Sequence, residues 1–173
     1  MTNQPHYEMI DHPEFWGRCM FAESFRMELE GQYSLVGCYI GGISVEDFPA
    51  RLPKLALFIE AALNPSANIS SVTYRAYMPG ADQDSHFWET EQHVRNSAED
   101  GEVDDGRSDD YEDAQIINGP FPAPPVTRLF TAVNNALLEV PQAGDIRVRA
   151  FVGNKVYPLG SIAVAKIEKQ VEG

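Results

Sequence analysis

The feature that most constrains this sequence is a series of short segments in which apolar and polar residues alternate. In the first of them, the odd-numbered residues from Cys19 to Leu29 are mostly apolar, while the even-numbered residues from Met20 to Glu28 include most of the polar ones. Side chains of a β-strand point alternately to opposite faces, so a period of two predicts a strand. The turn at Glu30-Gly31-Gln32 then makes this strand the first half of a β-hairpin.

Similar segments recur along the chain and are separated by turn residues such as Pro79-Gly80 and Gly153-Asn154. The further predicted strands are 33–40, 55–63, 72–78, 146–152, 156–159 and 162–167. Strand is favoured over helix for 55–63, and the pattern of 127–140 fits either. Many short strands without βαβ alternation predict an all-β fold, an immunoglobulin/C2-like β-sandwich of about seven or eight strands with a long acidic loop.

The charge of the chain is concentrated in one segment. The formal net charge is −13, of which −8 lies between Glu99 and Asp113. A segment of high charge and low hydrophobicity cannot bury enough surface to offset the entropy of ordering, so residues 96–115 are predicted to form a mobile loop. The whole chain is predicted to be a single domain, 1–173, with an N-terminal arm at 1–16 and this loop. An acidic chain argues against nucleic acid or an anionic membrane as partner.

The N-terminus and the two cysteines predict a cytoplasmic protein. The first residues lack the basic and apolar regions of a secretory signal, and no apolar run reaches the length of a membrane-spanning helix. Cys19 and Cys38 lie in two segments predicted to be neighbouring strands. In a reducing compartment we expect them to be free thiols that behave as small buried apolar side chains.

Two parts of the sequence resemble an uncharacterised bacterial β-sandwich family of unknown function. The first is Phe21–Tyr39 (FAESFRMELEGQYSLVGCY), followed by Phe48-Pro49 and Leu52-Pro53-Lys54-Leu55, and the second is Gly144–Val148 with Gly153-Asn154. The resemblance covers about 20–80 and 126–167. It implies a small β-sandwich, favours a strand at 127–140 and assigns no activity. The chain departs from the family pattern in having one acidic residue, Glu23, where a pair is common, and the acidic stretch 99–113 looks like an insertion.

The acidic segment does not fit the ligand spacing of an EF-hand calcium loop. With Asp100 at the first position, Glu102 and Asp104 fit the third and fifth, but Gly106 comes one place late and Tyr111 takes the twelfth. A solvated loop is therefore the favoured interpretation. The alternatives are a divalent-cation site at Asp100, Glu102 and Asp104, or docking of a basic partner. Docking would use Glu99, Asp105, Asp109, Asp110, Glu112 and Asp113.

Two other sets of ionisable residues are weak site candidates. On a helix, His86, Glu89 and His93 would share a face, and two histidines with one carboxylate are a ligand set for Zn²⁺ or Fe²⁺. Glu23 falls on the apolar face of its predicted strand, where a carboxylate needs a partner or a raised pKa. The more ordinary interpretations of Glu23 are a pair with an arginine or a bulge that turns it outward.

No nucleophile elbow, P-loop, dinucleotide fingerprint or HExxH motif is present in the sequence. The favoured function is therefore a non-catalytic β-sandwich that binds another protein or assembles with itself, without a cofactor. One alternative is docking of a basic partner or a divalent cation by the acidic loop. The other is a hydrolase or carbohydrate-binding sandwich whose site, lined by residues such as Trp16 or Trp88, the sequence does not reveal.

Overall fold

The chain folds into two β-sheets, which confirms the predicted all-β class. The computed structural model describes residues 14–29, 32–64, 66–94 and 127–167, and every strand named below lies within them. The strands are β1 (Phe15–Met27), β2 (Tyr33–Cys38), β3 (Ile43–Val45), β4 (Ala50–Leu63), β5 (Ser71–Tyr77), β6 (His86–His93), β7 (Thr127–Val140), β8 (Gly144–Val152) and β9 (Lys155–Lys166).

The first sheet has the order β2-β1-β4-β7 and is antiparallel throughout. Its central strand β4 pairs with β7 from Leu63↔Thr127 to Ala50↔Val140. The second sheet has the order β3-β9-β8-β5-β6, in which only the short β3 runs parallel to its neighbour. The β4–β7 pairing is therefore the longest of the first sheet, and the β8–β9 hairpin forms the centre of the second sheet.

The core lies between the two sheets. On β4 the alternate residues Leu55, Leu57 and Ile59 are fully buried, and they belong to the same apolar cluster as Val72 of β5 and Ile146 of β8. This alternation is the period-two pattern of the sequence, and it places these residues on the face of the first sheet that is turned toward the second. The apolar area removed from water along these strands is the main source of stability.

The sheets approach most closely where β1 passes β9, and two glycines permit this approach. A Cβ atom at Gly160 of β9 would lie 3.1 Å from the carbonyl oxygen of Cys19, and a Cβ atom at Gly17 of β1 would lie 2.8 Å from a methyl group of Leu159. Glycine has no Cβ, so backbone and side chains can come this near. The contact joins the first sheet to the second along one side.

Several predicted boundaries are wrong. Strand β1 begins at Phe15, which is buried, so the predicted arm 1–16 is too long; residues 1–13 lie outside the described part. Strands β3 and β6 were not predicted, and the described residues contain nine strands against the expected seven or eight. Strand β6 escaped prediction because its charged residues obscure the alternation. The strand at 127–140, which the family resemblance favoured, is confirmed as β7.

The two cysteines lie on neighbouring strands, as expected, and both thiols are free. Cys19 is half-buried, and burial raises the pKa of its thiol to about 12. Cys38 is exposed, so the expectation that both side chains are buried is wrong for this one. Cys38 lies at the end of β2, an edge strand whose one neighbour among the described strands is β1.

Candidate functional site

The distal half of the β1–β2 hairpin leaves the first sheet and crosses its outer face. Among the described strands, β1 pairs with β4 as far as Ala22↔Ala56, and beyond that point it pairs with β2 alone. The backbone of Phe25 then meets the side chain of Asn134 on β7: its N–H donates to Oδ1 at 2.8 Å, and the Asn134 Nδ2 donates to its carbonyl oxygen at 3.0 Å. Asn134 of β7 pairs with Ala56 of β4, which is fully buried, so the hairpin covers β4 from outside.

The hairpin begins to leave the first sheet at Glu23. This carboxylate lies beside Gly37 of β2, whose φ of +67° is a conformation that favours glycine. A Cβ atom at Gly37 would lie 2.7 Å from Cγ of Glu23, so only glycine leaves room for that side chain. Glu23 is exposed. The hypothesis that it is held on an apolar face is therefore wrong: Glu23 and Gly37 are absent from the β1–β2 register, and the carboxylate is open to solvent.

An aromatic cluster lies beneath and beside the hairpin. Phe58 of β4 is at its centre: its ring centroid is 4.5 Å from that of Tyr33, 5.7 Å from that of Phe25 and 6.3 Å from that of Phe130. Phe58 is only 2% exposed although it points away from the core between the sheets, whereas Tyr33 and Phe130 are each 47% exposed. The hairpin and β7 thus bury the central ring and leave the flanking rings half open to solvent.

These rings line a groove, here called the aromatic groove, formed by Phe25, Met27, Tyr33, Phe58 and Phe130. Its volume is about 520 Å³, and Thr131 and Ala132 of β7 complete the lining. Among the described residues that line the groove there is no Asp, Glu, Lys, Arg, Cys or His. The groove therefore offers apolar contact and two hydroxyl groups, which suits an apolar side chain better than a reacting substrate.

The aromatic groove opens beside β7, an edge strand of the first sheet. Within the described residues β7 pairs only with β4, so the other side of its backbone has no neighbour there. Near its end, Ala136 and Leu137 are both exposed, and Leu137 has a φ of +53° with 77% of its side chain accessible. A non-glycine residue in this conformation costs roughly 1–2 kcal/mol, so the edge carries a strained, exposed leucine.

We expect Asn134→Ala to lower the free energy of unfolding by about 2 kcal/mol, because both hydrogen bonds to the Phe25 backbone are lost. Asn135→Ala is the matched control, since its amide makes one weaker bond, 3.4 Å to the carbonyl oxygen of Leu55. Urea unfolding of the two variants gives the difference. Equal losses for both would show that the hairpin is not held on the outer face through Asn134.

The proposed histidine–carboxylate set does not lie on a helix, because His86–His93 form strand β6. His86 Nε2 is 3.6 Å from Glu89 Oε2, and the same carboxylate forms an ion pair with Arg75 of β5. His93 is four residues beyond Glu89, roughly 13 Å along the strand. In the part of the chain that the structure describes, no group of three or more His, Cys, Asp or Glu residues is placed to hold a metal ion.

The other candidate residues, from Glu99 to Asp113, lie outside the described residues, as does the predicted mobile loop 96–115. Metal binding at Asp100, Glu102 and Asp104 and partner docking by the remaining acids therefore stay predictions. Among the described residues, no helix has the length and apolar character needed to span a membrane.

A second concavity, about 610 Å³ in volume, lies where the chain connects β3 to β4. Its charged residues include Asp47, whose carboxylate accepts a hydrogen bond from Lys166 Nζ at 2.9 Å. That hydrogen bond lowers the pKa of Asp47, and a backbone hydrogen bond from Phe48 adds to the effect. The ion pair is exposed on both sides and holds the end of β9 to this connection. It leaves no activated group for chemistry.

The aromatic groove was not among the sites predicted from the sequence. A signal was present, because Leu55–Ile59 are five apolar residues in succession, and a strand that is apolar on both faces is buried on both faces. The apolar pattern of β4 does not indicate which segment covers its second face. The cover is a hairpin that bends out of its own sheet at Glu23 and Gly37.

No protein-family model, curated protein or solved structure matches this chain. Its function must therefore be inferred from the residues of the outer face of the first sheet and from their chemistry.

Proposed function

We propose that this chain is a non-catalytic, immunoglobulin/C2-like β-sandwich that binds protein partners through the outer face of its first sheet. The observation that carries the proposal is the aromatic groove, in which two half-exposed rings flank a fully covered one. Aromatic side chains dominate the binding energy of protein interfaces, where they combine large apolar area with few rotatable bonds.

The half-exposed rings of the groove are held in place by the residues beneath them. Phe58 is 2% exposed and packs on Tyr33 and Phe25, and Asn134 ties the backbone of Phe25 to β7. Rings held in this way lose little conformational entropy when a partner binds, so more of the contact energy is available for affinity.

The chemistry of the groove favours binding over catalysis. General acid–base or nucleophilic chemistry needs a titratable group within hydrogen-bond reach of the reacting atoms. Among the described residues of the groove lining, only the half-exposed Tyr33 carries a titratable group. An extended protein segment with apolar side chains at alternate positions fits this surface, because it can lie along β7 and place one side chain in the groove.

A selection of peptides displayed on phage tests the proposal. We expect the wild-type chain to select peptides with aromatic or branched aliphatic residues at alternate positions, and Phe130→Asp to weaken their binding at least about tenfold. Val156→Asp is the matched control, since Val156 is 48% exposed on β9 of the second sheet and Phe130 is 47% exposed. Peptides that bind the wild type and Phe130→Asp equally would overturn the proposal, as would a selection that yields no peptide.

A further inference from the structure

The four sheet edges formed by the described residues differ in how they are protected against pairing with another strand. Natural sheets protect an edge by making it short, by charging it or by twisting it away. Strand β3 has three residues, and β6 carries Glu89, Glu91 and two histidines. Strand β2 has six residues and belongs to the hairpin that bends onto the outer face. Strand β7 has fourteen residues, and within the described part of the chain it is neither short nor paired on its outer side, although Leu137 interrupts it near its end.

The sequence of β7 is uncharged along almost its whole length. Between Arg128 near its start and Glu139 near its end there is no charged residue and no proline. The exposed residues include Phe130 and Leu137, both large and apolar. A long, uncharged edge with exposed apolar side chains is a template for pairing with a further strand.

The charges at the two ends of β7 make the strand complementary to itself. When a second copy of β7 lies antiparallel beside the first, Arg128 of each copy comes next to Glu139 of the other. Opposite charges across a strand pair stabilise it, whereas like charges destabilise it. A parallel arrangement would instead place Arg128 beside Arg128. The charge pattern therefore selects the antiparallel, two-fold symmetric arrangement.

We propose that β7 pairs edge to edge with β7 of a second copy of this chain, so that the two first sheets join into one continuous eight-stranded sheet. This inference rests on the proposed function, because it names the partner that the outer face and its edge bind. The pairing satisfies the outward backbone N–H and C=O groups of β7 and brings Phe130 of each copy toward the seam.

Symmetry restricts the register. Before the change of face at Leu137, directly opposed residues of an antiparallel pair point to the same face, so the two-fold axis must pass through a residue rather than between two. Axes through Val133 and through Asn134 both bring Arg128 within one residue of Glu139 of the second copy, and the axis through Val133 also places Phe130 opposite the small Ala136. Because β7 changes face at Leu137, Arg128 and Glu139 are exposed on the same face, so their side chains can meet across the seam. The exposed pair Ala136 and Leu137 then lies inside the interface, where the strained leucine gains apolar contact.

Analytical ultracentrifugation of the full chain tests the assembly. Edge pairing buries less area than a standard interface, so we expect a monomer–dimer equilibrium with a Kd in the range of about 1–100 µM. Ala136→Glu places a charge on the edge and is expected to shift the chain to the monomer. Ala165→Glu is the matched control, because Ala165 is exposed on β9 opposite Ser44. A chain that stays monomeric throughout this range would overturn the inference.

Disulfide trapping tests the register in a Cys38→Ser background, since the native exposed thiol would otherwise react. The remaining Cys19 is half-buried, and its raised pKa keeps it protonated. Val133→Cys is expected to form a covalent dimer on mild oxidation, because opposed Cβ atoms lie about 5 Å apart. Thr131→Cys should not, since the two sulfur atoms would be offset by four residues, roughly 13 Å. Equal trapping of both would contradict the Val133 axis.

Charge reversal tests the pairing of the two ends. Arg128→Glu or Glu139→Arg alone brings like charges together at both ends of the interface, so each is expected to weaken the dimer. The two changes combined restore opposite charges and should restore association. Circular dichroism and thermal melting of each variant show whether the monomer is folded. If both single reversals leave the dimer affinity unchanged, the dimer uses another surface and the inference is overturned.

The two proposals fail in different ways. A monomeric chain whose selected peptides still depend on Phe130 would overturn self-pairing and leave the binding function supported. A chain that dimerises through β7 but selects no peptide dependent on Phe130 would support self-pairing and overturn the use of the aromatic groove for other proteins.

Discussion

Phe58→Ala is expected to lower the free energy of unfolding by about 3–5 kcal/mol, as much as a truncation in the core between the sheets. The reason is that Phe58 is 2% exposed and contacts three other rings, although it lies on the outer face of β4. Removing its ring leaves a cavity beneath the hairpin and also removes the support of Phe25 and Tyr33. Urea unfolding at neutral pH measures the loss.

Phe130→Ala is the matched control for this result. The ring belongs to the same cluster but is 47% exposed, so less apolar area is lost from the folded state and the expected cost is below about 2 kcal/mol. If Phe58→Ala costs no more than Phe130→Ala, then the hairpin does not cover β4 in solution. The aromatic groove would then lack its supporting wall.

Alkaline pH is expected to destabilise the protein through Cys19. Burial raises the pKa of this thiol from 9.0 to about 12 in the folded state, so the unfolded chain releases its proton first as pH rises. The unfolded state then binds fewer protons than the folded state, and stability falls between pH 9 and pH 12. With 1.36 kcal/mol per pKa unit, the loss is about 2 kcal/mol by pH 10.5 and up to about 4 kcal/mol by pH 12.

The measurement is urea unfolding at pH 8 and pH 10.5 for the wild type, Cys19→Ala and Cys38→Ala. Tyr74 adds to the alkaline loss, because burial raises the pKa of its hydroxyl to about 12, but it is common to all three proteins. The pH dependence of Cys19→Ala should therefore be shallower than that of the wild type, while Cys38→Ala, which alters an exposed thiol, should follow the wild type. Parallel behaviour of all three would mean that Cys19 is open to solvent.

The strands of the core could be predicted because each turns alternate apolar residues toward the space between the sheets. Leu55, Leu57 and Ile59 alternate with residues of the other face, and Ile146 and Val148 alternate with two arginines, so the period of two was visible in the sequence. Turn residues such as Gly153-Asn154 then fixed where the hairpins reverse.

The outer face of the first sheet could not be predicted, because within single strands the residues that point to the core change from odd-numbered to even-numbered positions, or the reverse. If the alternation of β1 continued through Glu23, Met27 would lie with the buried residues. Met27 is instead 66% exposed and borders the aromatic groove. On β4 the buried positions change from odd to even between Leu55 and Leu52. On β7 they change at Leu137, whose positive φ no propensity of leucine indicates.

Strand β6 was missed for a different reason. Its partner β5 supplies the arginine that pairs with Glu89, so the strand is stabilised by cross-strand contacts between polar side chains as well as by burial. A single sequence shows the polar residues but not the neighbour that satisfies them. Charged edge strands of this kind resemble loops until the pairing is known.

Backbone amide hydrogen exchange tests most directly whether the outer face of the first sheet and its β7 edge form the binding surface. It would be measured on the dilute chain, on the concentrated chain, and on the dilute chain with a selected peptide. The account predicts that protection rises in Thr127–Val140 in both bound samples, while His86–His93, the edge of the second sheet, is unchanged. Protection that rises in His86–His93 and not in Thr127–Val140 would contradict it.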